Sequence, residues 1–306
     1  LSEVTIVGSI NTDLTSYLPC WPKIGETVNT TETRISLGGK GANQAVAASR
    51  MGARTTIIGA VGADTFGTDI EQQLRAHGLD AKLTVQRDMP TGMAFIDVGP
   101  DGDNLIRLSA GANYALTPQI IETHADTIAN SKVVVLQNEI PFAASFKAAQ
   151  IAKAAGALVV MDPAPAPEPF WERDKLAQFD IVTPNSHETK LITGAEPRSL
   201  SEAQEAARKL QDYGAAGSIV TMGSKGVAWC INGQSGQMTA PGVNAIDTVC
   251  AGDCFNGAFA AAHVSGKSVR DAIEFAVHAA ALTTTRKGAT DSIPCYEDLC
   301  AVLALG

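Results

Sequence analysis

The chain has 306 residues, 45% of them hydrophobic and 18% charged, with a formal net charge of −9. That hydrophobic share can bury a full core and excludes a largely disordered chain. The acidic balance argues against a nucleic-acid partner, whose affinity comes from Lys and Arg neutralising phosphates, whereas a small phosphate ligand needs only a local site and stays open.

In chain order, short β-rich runs alternate with Ala-rich helical stretches, the pattern of a mostly parallel sheet covered by helices. Val4–Ser9 is a predicted strand, Asn43–Met51 a helix, Thr55–Val61 a strand and Thr68–His77 a helix. Val133–Gln137 is a strand, Ala143–Ala155 a helix, Leu158–Asp162 a strand, and Phe179–Thr183 a strand ending in Pro184-Asn185. Leu200–Gly214 is a helix and Ser218–Met222 a strand; Asp253–Ser265 and Val269–Thr285 are two late helices. Two stretches, Asp13–Ser36 and Asp80–Arg107, break the alternation. The second holds the alternating β-formers Thr91–Val98 and the turn Asp101-Gly102-Asp103. They form either a small antiparallel sheet, a lid projecting from the main body over about 13–36 and 90–108, or two ordinary surface hairpins. Residues 1–306 are otherwise expected to be one α/β domain of three layers, helices on both sides of a mostly parallel sheet.

No window approaches the roughly 18 consecutive apolar residues of a membrane span, so no membrane partner is expected. The opening residues Leu1-Ser2-Glu3-Val4 lack a basic segment and a long apolar run, so no signal peptide is expected. Cys20, Cys230, Cys250, Cys254, Cys295 and Cys300 contain no C-x-x-C pair. They are expected to be reduced thiols in a cytoplasmic protein.

A Walker A loop is missing, and Gly8-Ser9-Ile10-Asn11 stands where a dinucleotide-binding glycine fingerprint would follow the first strand. The strongest local signal is Asp247-Thr248-Val249-Cys250-Ala251-Gly252-Asp253, running straight into a helix of small and aromatic residues. Small residues before a helix N-terminus let an anion reach free backbone N–H groups, and the macrodipole favours its charge. Asp253 there is either a general base for an attacking hydroxyl or simply a helix cap. Gly38-Gly39-Lys40-Gly41-Ala42-Asn43-Gln44 is a second signal, a glycine turn opening a helix. Its glycines allow close backbone approach, and Lys40 and Asn43 can donate to hydroxyl oxygens; the alternative is a plain tight turn. Asn11 and Asp13 lie just past the C-terminal end of the first strand, the edge where open α/β sheets bind ligands.

Together these segments resemble the ribokinase-like (PfkB) family of sugar kinases along essentially the whole chain. Further markers agree: Gly25-Glu26-Thr27, Gly59-x-Val61-Gly62-x-Asp64-x-Phe66-Gly67, Ala110-Gly111-Ala112-Asn113, Pro163-Ala164-Pro165, Pro184-Asn185-x-x-Glu188, Thr221-x-Gly223-x-x-Gly226 and Thr285-Arg286-Lys287-Gly288-Ala289. The resemblance implies transfer of the ATP γ-phosphate to a sugar hydroxyl, with D-ribose to D-ribose 5-phosphate as first reading. Kinases of deoxyribose, 2-keto-3-deoxygluconate or fructose, and a non-catalytic sugar-binding regulator, remain alternatives. A nucleoside kinase fits poorly, since only 5% of residues are aromatic.

The resemblance also implies roles. Asp253 matches the catalytic base, and the backbone N–H groups of Cys250, Ala251 and Gly252 match an anion hole. Asn11, Asp13, Gly39, Lys40, Asn43 and Glu139 match sugar-binding positions, although Glu139 alone reads equally as a solvated strand end. Asn185 and Glu188 match an element that positions Mg2+ and the phosphates; they also read as a capping-box-like helix start. Thr221, Gly223, Gly226 and Gly252 match nucleotide contacts, and His278 either borders the adenine or is a packed helix residue. A K+ site is implied at Asp247 and the carbonyls of Val249, Thr283, Arg286 and Gly288, with the Ser292 hydroxyl. The implied partners are ATP, a small sugar and a second copy of the chain docked through the lid. Cys250 departs from the family, which usually has Gly or Ala there; its thiol is either acidified by the helix N-terminus or buried and inert.

Overall fold

A computed structural model describes residues 3–101, 103–167, 171 and 173–303. Leu1, Ser2 and the central Gly102 of the expected turn lie outside the described residues. In chain order the elements are β1 (Val4–Val7), β2 (Asn11–Tyr17), β3 (Glu32–Gly38), α1 (Lys40–Arg50), β4 (Thr55–Gly62), α2 (Thr65–Ala76), β5 (Asp80–Gln86), β6 (Gly92–Val98) and β7 (Asn104–Ser109). Then come α3 (Pro118–Glu122), α4 (Ala125–Ala129), β8 (Val133–Leu136), α5 (Phe142–Ala154), β9 (Leu158–Met161), α6 (Arg173–Leu176), β10 (Ile181–Val182), α7 (Ser186–Thr193) and α8 (Leu200–Asp212). The chain closes with β11 (Ser218–Thr221), β12 (Val227–Ile231), β13 (Gln234–Met238), α9 (Ala251–Val264), α10 (Val269–Thr283) and α11 (Tyr296–Leu303).

Nine strands form the main sheet in the order β13-β12-β11-β10-β9-β8-β1-β4-β5. From β11 to β5 every neighbour is parallel; β12 and β13 extend one edge antiparallel. Helices cover both faces, so the central strands β8 and β9 are apolar throughout and β1 is so but for the buried Thr5, rather than alternating. Along β1, Val4 and Ile6 face the layer that holds α1, α9 and α10, while Val7 faces the layer of α5 and α8. Helix starts carry their own caps: Asp64 accepts from Gly67 N at 2.8 Å to open α2, and Ser199 accepts from Glu202 N at 3.2 Å to open α8.

Four strands build a second sheet, β3-β2-β6-β7. Its two hairpins are antiparallel, and the central β2–β6 pair is parallel. The direction follows from connectivity, since β2 leaves β1 and β6 leaves β5 at the same end of the main sheet. Asp80–Arg107 therefore differs from the expected excursion: its first part is β5, the parallel edge strand of the main sheet, paired with β4. An edge strand covered on one face alternates just as a hairpin strand does, and periodicity cannot separate them.

The β12–β13 hairpin was not anticipated, although its turn, Asn232-Gly233, is a strong hairpin signal. Both residues take positive φ, 52° and 76°, as a type I′ turn requires. The expected strand Phe179–Thr183 shortens to Ile181–Val182.

Candidate active site

The chain runs outward from β1 to β4 on one side and from β8 to β9 on the other, so the sheet order reverses between β1 and β8. Ligands of open α/β sheets bind at the C-terminal strand ends of such a switch point. Three segments leave those ends: Gly8-Ser9-Ile10 after β1, Gln137-Asn138-Glu139 after β8 and Asp162 after β9. Two helix N-termini, those of α1 and α9, point into the same space. Gly39 N-caps α1 at φ 89°, and a Cβ there would come within 2.8 Å of Asn11 N and 2.9 Å of Ser9 O. The start of α1 thus rests directly on the turn that leads from β1 to β2.

The centre is a buried polar cluster around Asp253, whose residue is 6% exposed in the first turn of α9. Asn43 Nδ2 donates to its Oδ2 at 2.9 Å, and Gln44 Nε2 donates to its Oδ1 at 3.2 Å. Lys40 Nζ stands 3.9 Å from that Oδ1. Burial alone would favour the neutral amine of Lys40, but the Asp253, Asp162, Glu139 and Glu188 carboxylates outweigh it and raise its pKa. Gln44 Nε2 also donates to Asp162 Oδ2 at 2.9 Å, and Gln137 Nε2 donates to Gln44 Oε1 at 2.7 Å. Burial pushes the Asp162 carboxyl up to about 8, with Asp253, Glu188 and Glu139 acting in the same direction and Lys40 against it.

Toward the small sheet, Ser9 Oγ donates to Glu139 Oε2 at 2.6 Å, and the backbone N–H of Lys40 reaches the same oxygen at 3.3 Å. Asn113 Nδ2 donates to Asn11 Oδ1 at 2.8 Å, fixing the Asn11 amide. Asp13 is buried, and burial, reinforced by Glu139 and Asp253, pushes its carboxyl up to about 7. Asp13 Oδ1 and Asn43 Oδ1 are buried without a hydrogen-bond partner in the protein. Asn11, Asp13, Gly39, Lys40, Asn43, Glu139 and Asp253 are thus brought to one place.

Two cavities flank the N-terminus of α9. One, of about 690 Å³, lies between the small sheet and the main body, lined among others by Asp13, Ser36, Ile96, Asp247 and Gly288. The other, of about 370 Å³, is mostly apolar and is lined by Thr221, Gly223, Gly226, Ala251, Gly252, Phe255, Val277 and Ala281 among others. Ala245 and Thr248 line both, so the cavities adjoin just before Cys250–Asp253. Four expected nucleotide residues meet in the second cavity. His278 is not among its lining residues, whereas Val277, Ala280, Ala281 and Thr284 are; it is half-buried, with its Nδ1 2.8 Å from Glu274 O.

Asn185 and Glu188 form a reciprocal capping box at α7, with Asn185 N donating to Glu188 Oε2 at 2.8 Å and Glu188 N donating to Asn185 Oδ1 at 2.9 Å. Burial first, with Asp253 adding, raises the Glu188 carboxyl above its usual range. Cys250, the N-cap of α9, has φ 67°. Burial, with Asp253 and Cys254 nearby, pushes its thiol well above the ordinary value, which is the inert alternative rather than the acidified one. All six cysteines carry free thiols.

The segments around Asp247 and Gly288 are tied together. Asp247 Oδ1 accepts from Val249 N at 3.0 Å and Oδ2 from Gly288 N at 3.0 Å. Ser292 is buried, and its hydroxyl donates to Ala289 O at 2.7 Å, leaving its oxygen lone pairs available. Thr283 is buried beneath, whereas the Arg286 side chain turns outward to Asp298 at 2.9 Å. Among the described residues no three or more His, Cys, Asp or Glu side chains are grouped to hold a metal ion.

Ser9, Gln44, Gln137 and Asp162 belong to this site and were not assigned from sequence. Gln137 and Asp162 had a signal: each is a polar residue ending an apolar strand, in Val133-Val134-Val135-Leu136-Gln137 and Val159-Val160-Met161-Asp162, at the edge where ligands bind.

A family model described as pfkB family carbohydrate kinase matches residues 1–295. The chain is 40% identical over 297 residues to the ribokinase of Haemophilus influenzae, with 96% of each chain covered. It is 34% identical over 306 residues to the deoxyribokinase of Salmonella typhi, covering 99% of both. Among solved structures, Arabidopsis thaliana ribokinase complexed with ribose and ATP matches with a TM-score of 0.91 at 31% identity, covering 99% of this chain and 98% of that one.

Proposed function

The chain belongs to the pfkB family of carbohydrate kinases, and from that premise we propose that it transfers the γ-phosphate of ATP to the terminal hydroxyl of D-ribose, forming D-ribose 5-phosphate and ADP. The observation that carries this reading is the buried Asp253 in the first turn of α9, held by Asn43 and Gln44 near Lys40, just after the segment whose Thr248 lines both adjoining cavities. Of the sugar-site residues Asp13 lines the first cavity, and Ala251 and Gly252, next to Asp253, line the second, so a sugar in the polar cluster and a nucleotide in the apolar cavity approach the same helix start.

The sugar lies against Asn11, Asp13, Gly39, Lys40, Asn43 and Glu139. The partnerless Asp13 Oδ1 and Asn43 Oδ1 are acceptors awaiting donors, and sugar hydroxyls supply them. Asp253 takes the proton of the attacking hydroxyl. The backbone N–H groups of Cys250 and Gly252 face the γ-phosphate, joined by that of Ala251, which exchanges a long 3.4 Å bond to Thr248 O for it, and the α9 dipole stabilises the phosphate charge. Cys250 takes a left-handed φ of 67°, which glycine adopts more readily than a residue with a Cβ, while the contacts expected of the anion hole are backbone ones. The nucleotide occupies the apolar cavity along Thr221, Gly223, Gly226 and Gly252.

Magnesium brought with ATP would neutralise phosphate charge. The half of the Glu188 carboxyl not used in the capping box, together with Asn185, would hold it through water, as magnesium usually retains several waters. The oxygen-only set of Asp247, the Val249, Thr283, Arg286 and Gly288 carbonyls and the Ser292 hydroxyl would hold potassium, which would add positive charge beside the anion hole. The Gly288–Asp247 hydrogen bond, which brings the two segments together, supports this set.

The small sheet, over about 13–36 and 90–108, closes as a lid and limits water at the site. Its outer face carries Leu14, Ile35, Phe95 and Leu105, with Ile35 65% and Leu105 50% exposed, which supports a homodimer through the lid. Free thiols fit a reducing, cytoplasmic setting. No helix among the described residues is long and apolar enough to cross a membrane.

Deoxyribose is the second reading, favoured by the similarity to the Salmonella typhi deoxyribokinase. A coupled ADP-release assay with magnesium-ATP over a panel of sugars, each in potassium and in sodium, tests both. Ribose-dependent turnover that rises in potassium is expected. Turnover with deoxyribose and not ribose would move the substrate, and equal rates in the two salts would remove the potassium site.

A further inference from the structure

One buried side chain in the cluster has no role in the reaction as proposed. Gln44 is 0% exposed, as is Gln137. Its amide nevertheless spends both N–H donors and its oxygen inside the cluster: Nε2 donates to Asp253 Oδ1 at 3.2 Å and to Asp162 Oδ2 at 2.9 Å, and Oε1 accepts from Gln137 Nε2 at 2.7 Å. A flipped amide would turn its oxygen toward two carboxylates and its NH2 toward another NH2, so this orientation is the one the surroundings permit. Asn43 holds the opposite oxygen of Asp253 at 2.9 Å. The two Asp253 oxygens are thus pinned by amides from adjacent residues of α1, and only one of those amides belongs to the expected sugar site.

We propose that Gln44 is a positioning residue for phosphoryl transfer, fixing the rotation of the Asp253 carboxylate toward the sugar hydroxyl, with Asp162 and Gln137 holding the Gln44 amide in place. This inference rests on Asp253 being the general base. A base gains its effect from being held within hydrogen-bonding reach of the proton it removes. A carboxylate free to rotate at the mouth of a helix loses that alignment without losing its contacts to the sugar-binding residues. Asp162 matters here as an acceptor rather than as a charge.

The test compares steady-state kinetics and sugar binding for Gln44→Met, Asp162→Ala and Asp162→Asn, with Asp253→Asn prepared alongside. Gln44→Met is expected to lower kcat about 10–100-fold, the scale of a misplaced catalytic group, with KM for the sugar changed less than 3-fold. The acid limb of kcat against pH should move upward, because the ionised carboxylate loses a donor. Should Gln44→Met fail to fold, the two Asp162 variants carry the test. Asp162→Ala removes the acceptor and should lower kcat about 10-fold, whereas Asp162→Asn retains an oxygen for Gln44 and should recover most of that loss. Both are neutral, so charge is controlled.

Folded Gln44→Met with wild-type kcat and pH profile would overturn the proposal, as would Asp162→Ala and Asp162→Asn behaving alike. Near-normal turnover by Asp253→Asn would instead remove the base assignment. Collapse of Asp253→Asn beside an unaffected Gln44→Met would sink the positioning role alone.

Discussion

At the scale of single residues, the carboxylates divide by environment. Asp253 is held by two amides and stands 3.9 Å from the Lys40 ammonium. Its replacement by Asn should reduce kcat by about 10²–10⁴-fold, the usual worth of a general base, while calorimetry still detects sugar binding. Asp13 is the opposite case, buried with an oxygen lacking any partner and a pKa raised from 3.8 to about 7. A raised folded pKa means that its contribution to stability is fully present below about pH 4 and is lost as pH climbs through 7. Sugar hydroxyls donate best to the ionised form, so sugar binding at pH 6–7 should release a proton and weaken as pH falls from 8 to 6. Titration calorimetry in buffers of different ionisation enthalpy reads this directly. Affinity independent of pH, or the same slope retained in Asp13→Asn, would contradict it.

At the scale of elements, the site depends on how closely α1 and α9 approach. Gly257 permits that approach: a Cβ there would come within 2.4 Å of Gln44 O and 2.6 Å of Ala47 Cβ. Gly257→Ala must therefore push the helices apart or strain them. The cost should be about 1–3 kcal/mol of stability, the range for overpacking a close-packed core, seen as a lower midpoint in urea. Because Asn43 and Gln44 ride on α1 and Asp253 on α9, kcat should fall further than a remote core change of equal cost would cause. A Gly257→Ala protein with unaltered stability would show that the contact relaxes freely. The Asp247 and Gly288 segments act at the same scale, since each is irregular chain and they are joined through one side chain accepting two backbone N–H groups. Asp247→Ala should loosen both and remove the difference between potassium and sodium in the ADP-release assay.

At the scale of the whole molecule, the small sheet presents one face to the cleft and the other outward. An isolated four-stranded sheet with exposed Ile35 and Leu105 leaves apolar surface for a second copy to cover. On the proposed homodimer, Leu105→Asp should shift sedimentation from dimer to monomer and raise KM for the sugar, since the small sheet without its partner would be less ordered; a monomeric wild-type protein would refute this. The chain by itself determined the architecture to a large extent. Apolar runs such as Val133–Leu136 and the Ala-rich helices report burial on both faces of a parallel sheet, because period and composition are local consequences of burial. The glycine turn at Gly38–Gly41 and the small residues before Asp253 were likewise legible, since a helix N-terminus open to an anion needs particular residues in sequence order. What only the tertiary structure decided involves partners far apart in the chain. Gln44 meets Asp253, Asp162 and Gln137 across more than ninety residues each, and β5 joins the main sheet rather than the small one. No local pattern records which distant atom receives a hydrogen bond or which sheet an alternating strand joins; those are settled when the core packs and buried polar groups must find one another.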